Sequence, residues 1–335
     1  MNILLINGQA SEVQGWGDAT TTERIRKSLE ATGRTVKVLD VSTMNELQRG
    51  LDEHSSDLVW SSIYQISCNT QYIGLKLDVP WVQDVLEQRC RPYVGSTAPA
   101  LKVMLDKAET RRTLANAGVA VPMQFKVEPG EELPQVSSAV FVKPRYESQS
   151  AGISEESIAE SQHAMGERVR YIHKNFQQCA LVEEFLPGAE LTVSMLGKNF
   201  SRAARYEAAI NLLDPTEYEK HPVIMTDIKT GLKLELAGTL AARAEALAEE
   251  AVEALGCRDH VRVDMREDRH GALKVMEVNG IPSLNPGVSR SYSIHHLHNP
   301  TLREPECFDS LIGAIIDSAL YRGVLQEAAP LSAAM

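Results

Sequence analysis

Lys274-Val-Met-Glu-Val-Asn-Gly-Ile-Pro-Ser283 is the stretch on which the fold turns. Leu273 to Val278 is apolar enough for a strand, carries Glu277 with Asn279 just beyond, and breaks at Gly280. Side chains two apart along a strand share a face, so Glu277 and Asn279 project together from one side of a sheet. A second apolar strand, Val261-Arg-Val-Asp-Met265, lies upstream across the polar turn Asp268-Arg-His-Gly271. If those four residues form the hairpin loop, position 262 stands opposite 277 and 264 opposite 275. Asp264 is then a diagonal neighbour of Glu277, about 7–8 Å away. Two carboxylates and an amide oxygen on one face suit Mg²⁺, which takes one or two protein carboxylates and completes its shell with substrate phosphates. A solvated hairpin face with scattered charges is the alternative, and the hairpin alone does not choose between them.

Composition narrows the classes. A chain of 335 residues is long enough for two or three domains, and 43% hydrophobic with 24% charged residues is an ordinary globular profile. A net charge of −11 argues against a general nucleic-acid or membrane-surface partner, which needs basic patches. It leaves a nucleotide open, since a few lysines and Mg²⁺ can hold phosphates. Five widely spaced cysteines without a CxxC pattern suggest free thiols in a reducing, cytoplasmic setting. The N-terminal run is too short and lacks the basic lead of a signal peptide. No apolar run approaches the roughly 20 residues of a membrane helix.

Read in order, the chain is α/β. Asn2–Ile6 is a strand. A helix capped by threonines 20–22 follows to Thr32, then a strand at Thr35–Leu39, a helix at Met44–Glu53 and a strand at Leu58–Ser61. This alternation implies a parallel, Rossmann-like sheet. The first glycine loop does not fit GxGxxG, which argues against a dinucleotide site there. Further helices are expected around residues 71–77 and 81–88, and a short last strand and turn at Pro92–Ser96. Thr97–Gly118 reads as helical, with Asp106-Lys107 on its second part. Strands follow at Met123–Val127 and Ala139–Pro144, and a helix at Glu155–Asn175. Strands at Ala180–Leu186, Glu190–Leu196 and Asn199–Glu207 come next. Residues 209–233 read as a long loop, more often functional than idle. An Ala-rich helix, Leu236–Leu255, precedes the opening hairpin, and Pro305–Leu320 reads as the last helix.

Several of these pieces occur together in one family. Lys107 after an apolar helix, Val142-Lys-Pro144, Leu181-Val-Glu-Glu-Phe-Leu-Pro-Gly-Ala-Glu190, Arg262-Val-Asp264 and Glu277-Val-Asn279 stand in the order found in ATP-grasp proteins. The sequence resembles that superfamily, and within it the D-alanine–D-alanine ligase-like branch, most strongly from Pro92 to Asn285. The resemblance implies an ATP-grasp fold: a Rossmann-like N-terminal domain (1–95), then a central lobe (96–186) and a C-terminal lobe (187–335) that clamp ATP. It implies Lys107 and Lys143 on the phosphates, Glu183, Glu184 and Leu186 at the adenine hinge, and Glu190 on the ribose. Asp264, Glu277 and Asn279 would hold Mg²⁺ or Mn²⁺. Arg262 would stabilise the acyl phosphate and the tetrahedral species, and Glu12 falls where the family binds the first substrate's amino group. Each has a plainer alternative: solvated lysines, an edge strand for Glu183 and Glu184, a structural salt bridge for Arg262. The implied activity is ATP-dependent joining of a carboxylate to an amine through an acyl phosphate, with small amino-acid-like partners and a homodimeric assembly.

The departures concern the substrate side. Enzymes that make D-alanyl-D-alanine carry a His-Gly…Gly-Glu-Asp-Gly loop after the third strand, where Ser62-Ile-Tyr-Gln-Ile-Ser-Cys-Asn-Thr-Gln71 stands here. Their Arg-Glu-Gly-Ser-Ser-Val-Gly loop becomes Arg145-Tyr-Glu-Ser-Gln-Ser-Ala-Gly152, and their tyrosine-lysine lid is missing from 206–221. Asn-Thr-x-Pro-Gly becomes Asn279-Gly-Ile-Pro-Ser283. The substrate candidates are therefore Tyr64, Gln149, Ser150 and Ser283, with Gln65, Asn69 and the 289–298 segment around them. His295, His296 and His298 read as a surface or substrate-contacting loop more than a metal site. The expected enzyme is an amino-acid ligase other than a D-alanine–D-alanine ligase, in specialised metabolism. The competing readings are carboxylate activation for another nucleophile or ring closure, and a non-catalytic nucleotide-binding protein.

Overall fold

Three sheets carry the chain in the structure, a computed structural model that describes residues 1–67, 79–196, 209–212, 240–286 and 289–328. Asn2–Gly8 (β1) is apolar and buried on both faces from Ile3 to Ile6, as a parallel strand covered on two sides must be. It lies between Thr35–Val41 (β2) and Leu58–Ser61 (β3), parallel to both. The connections are a short helix at Ser11–Gln14 (α1) and helices at Ala19–Ala31 (α2) and Met44–Glu53 (α3), with Val82–Gln88 (α4) after β3.

The second sheet is antiparallel. Gln124–Val127 (β4), Val140–Pro144 (β5), Ile158–Ala159 (β6) and Ala180–Glu184 (β7) pair in the order β4-β7-β5-β6. Helix Gln162–Phe176 (α7) covers one face through Met165, Val169 and Ile172. The third sheet is also antiparallel. Glu190–Leu196 (β8), Ala209–Leu212 (β9), His260–Glu267 (β10) and Leu273–Asn279 (β11) lie in the order β11-β10-β8-β9. Its apolar face, with Val193, Val263, Val275 and Val278, packs on Ala98–Leu105 (α5), Lys107–Asn116 (α6) and Ala241–Ala254 (α8). The other face is polar and open. After Arg290–His298 (α9), the last helix, Glu306–Ala328 (α10), returns to the first sheet, where Phe308, Leu311, Ile312 and Ile315 meet Ile3, Leu5, Ile25 and Leu29.

The structure corrects several expectations, each for a local reason. In the decisive hairpin, Asp264 pairs with Glu277 and Arg262 with Asn279. The loop is one residue longer than expected, closed by Asp268 N–H to Ala272 O at 2.9 Å, and a bulge leaves Met276 without a partner. The two errors add to two residues, so Asp264 stays on the face of Glu277 and comes directly opposite it. The helix over 97–118 is two helices broken at Asp106, whose carboxylate caps the second by accepting from the N–H groups of Ala108 and Glu109. Asp18, not the threonines, caps α2, accepting from Thr21 N–H at 2.8 Å. Residues 155–159 are a 3₁₀ turn and a short strand, so α7 starts only at Gln162, behind the cap of Ser161. Pro92–Ser96 contributes a single bridge, Tyr93 to Val59. Ala209–Leu212, expected in the long loop, is a strand paired with β8, and the three histidines lie on helix α9. Most of the 209–233 segment, the strand expected at 199–207 and the helix expected at 71–77 lie outside the described residues.

Among the described residues no helix is long and apolar enough to cross a membrane. Among the described residues Cys90, Cys179, Cys257 and Cys307 form no disulfide. His260 is buried at the head of β10 with its Nε2 2.9 Å from Ser291 Oγ on α9. Burial, and then the Arg262 charge, lower its pKa to about 3. An unfolded histidine titrates near 6.5, so below that pH the unfolded chain binds a proton that the folded chain refuses. Stability therefore falls as pH drops from about 6.5 toward 3, by up to about 1.4 kcal/mol per pH unit from this residue. Urea midpoints between pH 7 and 5 are expected to show that slope, and His260→Gln to reduce it.

Candidate active site

A cleft opens between the second and third sheets and extends to the loop after β1. Its inner part, about 130 Å³, is walled by Lys107, Lys143, Glu183, Glu184, Leu186 and Met276. Its outer part, about 460 Å³, reaches Glu12, Tyr64, Arg262, Asn279, Ser283 and Arg290. Gln149, Ser150, Glu190, Asp264 and Glu277 border both, so the space is continuous.

The polar face of β8, β10 and β11 forms one wall. Asp264 faces Glu277 across the ladder and accepts hydrogen bonds from Thr192 Oγ1 at 2.6 Å, Arg262 Nε at 3.0 Å, Arg262 Nη2 at 2.9 Å and Asn279 Nδ2 at 3.1 Å. The Arg262 guanidinium keeps its charge: burial opposes it, but the adjacent Asp264, then Glu277 and Glu190, raise its pKa. Glu277 Oε1 lies 3.1 Å from Lys107 Nζ. Lys107 opens α6, immediately after the Asp106 cap, and its ammonium also donates to the Glu147 carbonyl. Asp106 is held in turn by a fork from Arg145, at 2.8 and 2.6 Å. Lys143 ends β5 and meets Glu183 of β7 at 2.7 Å, with Gln124 Nε2 on the other Glu183 oxygen at 2.6 Å. Lys107 and Lys143 are 8% and 6% exposed, which removes the reading of either as a solvated surface charge.

The segment after β7 crosses from the second sheet to the third. Glu184 N–H donates to Met123 O at 2.8 Å, its carboxylate accepts from Lys274 Nζ at 2.8 and 2.7 Å, and Leu186 is buried at the cleft edge. Glu190, buried, stands opposite Arg266.

On the outer side, Glu12 is exposed on α1, and its backbone carbonyl accepts from Gln149 Nε2. Gln149 and Ser150 both adopt left-handed conformations, at φ 52° and 60°. Tyr64 reaches the cleft, but its hydroxyl accepts from Ile281 N–H at 3.2 Å, and burial raises its pKa, so it braces the turn after β11 as a neutral phenol. Ser283 Oγ lies 3.5 Å from Trp16 O. Gln65 does not line the cleft; its N–H and that of Tyr64 donate to Gln14 Oε1 at 3.0 Å each. Asn69 lies outside the described residues. Of the 289–298 segment, Ser289 and Arg290 line the cleft and the histidines do not.

Sequence reasoning missed Thr192, Arg266 and Lys274, and had Arg290 only as part of the 289–298 segment. Thr192 and Arg266 are findable by strict alternation from Glu190 and Asp264. Lys274 is not, because the bulge at Met276 brings it to the face of Glu277 three residues away. Arg290 needs the path of the chain after Gly280.

The donor set fits Mg²⁺. Among the described residues no three His, Cys, Asp or Glu side chains gather into a closed cage. Two facing carboxylates with an amide, open to a cleft, match instead an ion that keeps water and takes phosphate oxygens.

The matches to known proteins agree with this architecture. The family model described as "D-ala D-ala ligase C-terminus" matches residues 124–292. A D-alanine–D-alanine ligase of Alcanivorax borkumensis is 31% identical over 243 residues, covering 72% of this chain and 73% of that protein. An uncharacterised protein of Sinorhizobium fredii is 27% identical, covering 72% of this chain and 70% of its own. The crystal structure of D-alanine–D-alanine ligase from Bacillus anthracis complexed with ATP superposes with a TM-score of 0.71 at 18% identity, covering 98% of this chain and 100% of that one.

The buried Lys143–Glu183 pair is testable by itself. Removing one partner from a buried ion pair costs about 3–5 kcal/mol, while replacing both by apolar groups is often neutral. Lys143→Met and Glu183→Leu are each expected to lower the denaturation midpoint strongly, and the double variant to recover most of the loss. Additive losses in the double-mutant cycle would show that the two do not act as a pair.

Proposed function

Since the chain belongs to the D-alanine–D-alanine ligase family, we propose that it joins a carboxylate and an amine of amino-acid-type substrates other than two D-alanines, in specialised metabolism. The protein is an ATP-grasp ligase that forms a C–N bond, with ATP and Mg²⁺ as its cofactors. The observation that carries the site reading is Asp264 paired with Glu277 across the β10–β11 ladder on the wall of an open cleft, with Lys107 and Arg262 in contact with them and Lys143 buried nearby.

In this reading the inner cavity holds the nucleotide. Leu186 and the backbone of Glu183 and Glu184 border the base, Glu190 the ribose, and Lys107 and Lys143 the phosphates. Asp264, Glu277 and Asn279 would hold Mg²⁺, which supplies neutralisation of phosphate charge. A donor carboxylate oxygen attacks the γ-phosphorus, and the bond to the β–γ bridging oxygen breaks, releasing ADP. The acceptor's neutral amine nitrogen then adds to the acyl carbon, phosphate departs with the acyl–oxygen electron pair, and the proton the nitrogen loses leaves with the phosphate. Arg262 sits where negative charge gathers on both species, and its double hydrogen bond to Asp264 fixes its plane in advance. Glu12 receives the donor's ammonium.

The exclusion of D-alanine rests on the substrate side. Gln149 and Ser150 take the place of the family's serine loop, and Tyr64 that of its histidine-glycine loop. A site built to bond polar groups of one substrate rejects a mismatched one by factors on the order of 10⁴.

Glu277→Ala is expected to cut amino-acid-dependent ADP release by roughly 10²–10³-fold with the fold retained by circular dichroism, although the thermal midpoint falls because Lys107 loses its partner at 3.1 Å. Wild-type turnover by this variant would remove the metal assignment. With ATP, Mg²⁺ and D-alanine alone, mass spectrometry is expected to detect little dipeptide. Formation as rapid as with the best pair from an amino-acid screen would overturn the substrate reading.

A further inference from the structure

Gln14 ends the short helix α1, lines the outer cavity and is only 5% exposed. Its Oε1 accepts from the N–H groups of Tyr64 and Gln65, at 3.0 Å each. Only the oxygen of an amide can meet two backbone donors, so the side chain has one possible orientation. Nε2 is left with two hydrogens to donate and no acceptor among the described residues. Unlike Arg290 Nη2, it is not sealed away from the cavity. A nearly buried amide donor without an acceptor is costly, and native structures rarely keep one without a use.

The fold fixes this amide before any ligand arrives. Three residues earlier, Ser11 Oγ lies 2.7 Å from Ser62 Oγ. One residue later, Gly15 runs so close to the Ser62 carbonyl that a Cβ there would overlap it. With the bonds from Tyr64 and Gln65, these contacts clamp α1 to the chain after β3 on both sides of Gln14. Nε2 is therefore a preorganised donor, and a ligand that meets it loses little entropy in ordering it.

We propose that Gln14 is a specificity-determining residue for the donor, and that its Nε2 receives a neutral oxygen of the donor's side chain, a hydroxyl or a carboxamide. The inference rests on the ligase reading and adds to it the chemical class of the donor. Gln14 borders the outer cavity and not the inner one, which sets it apart from the nucleotide. The donor's reacting carboxylate goes to the γ-phosphate, beside Asp264 and Glu277, which border both cavities. Its ammonium goes to Glu12, two residues from Gln14, and has no lone pair to offer an N–H. The side chain is the part of the donor left to meet Nε2. Glu12 and Asp18, exposed carboxylates that line the same cavity, oppose a second negative charge there, so the oxygen is a neutral one. Alanine brings no acceptor and would leave Nε2 covered and unpaired.

The test compares donors that differ in a side-chain oxygen: serine against alanine, and asparagine against leucine, each in L and D forms. ADP release is followed with ATP, Mg²⁺ and a panel of amino-acid acceptors, and fragmentation of the product by mass spectrometry identifies which residue gave its carboxylate. The wild type is expected to use the oxygen-bearing donor of each pair roughly 10- to 100-fold better in kcat/KM. Gln14→Glu keeps an oxygen on the N–H groups of Tyr64 and Gln65 but turns the cavity-facing donor into an acceptor. It should lower kcat/KM for serine and asparagine by that factor, favour 2,3-diaminopropionate instead, and leave the KM for ATP unchanged. Gln14→Met, uncharged and of similar length, is the second variant if the carboxylate prevents folding, and it too should lose the preference. The proposal is overturned if the wild type releases ADP without distinguishing the donors of either pair. It is also overturned if the variant keeps the preference, if it slows all donors alike as a purely structural residue would, or if the preference follows the acceptor's side chain. A wild-type enzyme that releases no ADP with any pair overturns the ligase reading itself, and this inference with it.

Discussion

The pairing of β10 with β11 across a bulge at Met276 is the constraint on which the site depends. Leu273, Val275 and Val278 are buried in the core with Leu101, Met104 and Ala248. Strict alternation cannot place Val275 and Val278 on one face, since three residues separate them. The bulge adds one residue on β11 and changes the parity, so Val275 and Val278 both face the helices. Glu277 and Asn279 are thereby turned to the cleft, with Lys274 on the same side. In a regular ladder either Glu277 would lie among methyl groups or Val275 would stand in the polar wall.

The charges of that wall come in pairs. An unpaired ion in the interior costs several kcal/mol, so each buried lysine is held against a carboxylate. Ligands with phosphates and a divalent cation bring the same two signs of charge. In the proposed reading, binding would exchange partners, phosphate for Glu277 on Lys107 and metal for Lys107 on Glu277, without creating new unpaired charge.

Other polar links join the three sheets around the cleft. Lys274 with Glu184 ties β11 to β7, and Arg322 of α10 forks onto Asp259, whose other role is to accept from Gly95 N–H at 2.7 Å. The 145–152 loop reaches α1 through Ser148 Oγ to Val13 O at 3.0 Å and through Gln149. Left-handed conformations at Gln149 and Ser150 cost on the order of 1–3 kcal/mol each. They bring that loop to the border shared by the inner and outer cavities.

What the sequence determined by itself was whatever follows from local chemistry and order along the chain. Apolar runs with turns between them located most strands and helices, and the ordered set Lys107, Lys143, Glu183 to Glu190, Asp264, Glu277 and Asn279 marked the cleft wall and the family. Spacing by two placed Glu277 and Asn279 on one face whatever their partners were. The tertiary structure decided the quantities that local rules leave free. The register of β10 against β11 was one, because a bulge is chosen by which side chains the core accepts. The break at Asp106 was another, because it answers to Arg145, 39 residues away. The place of Arg290 was a third, because no period in the sequence relates it to Arg262. The hydrogen bond between His260 of β10 and Ser291 of α9, together with the packing of α9 on α10 through Tyr292 and Phe308, holds the two guanidinium groups at the same cavity.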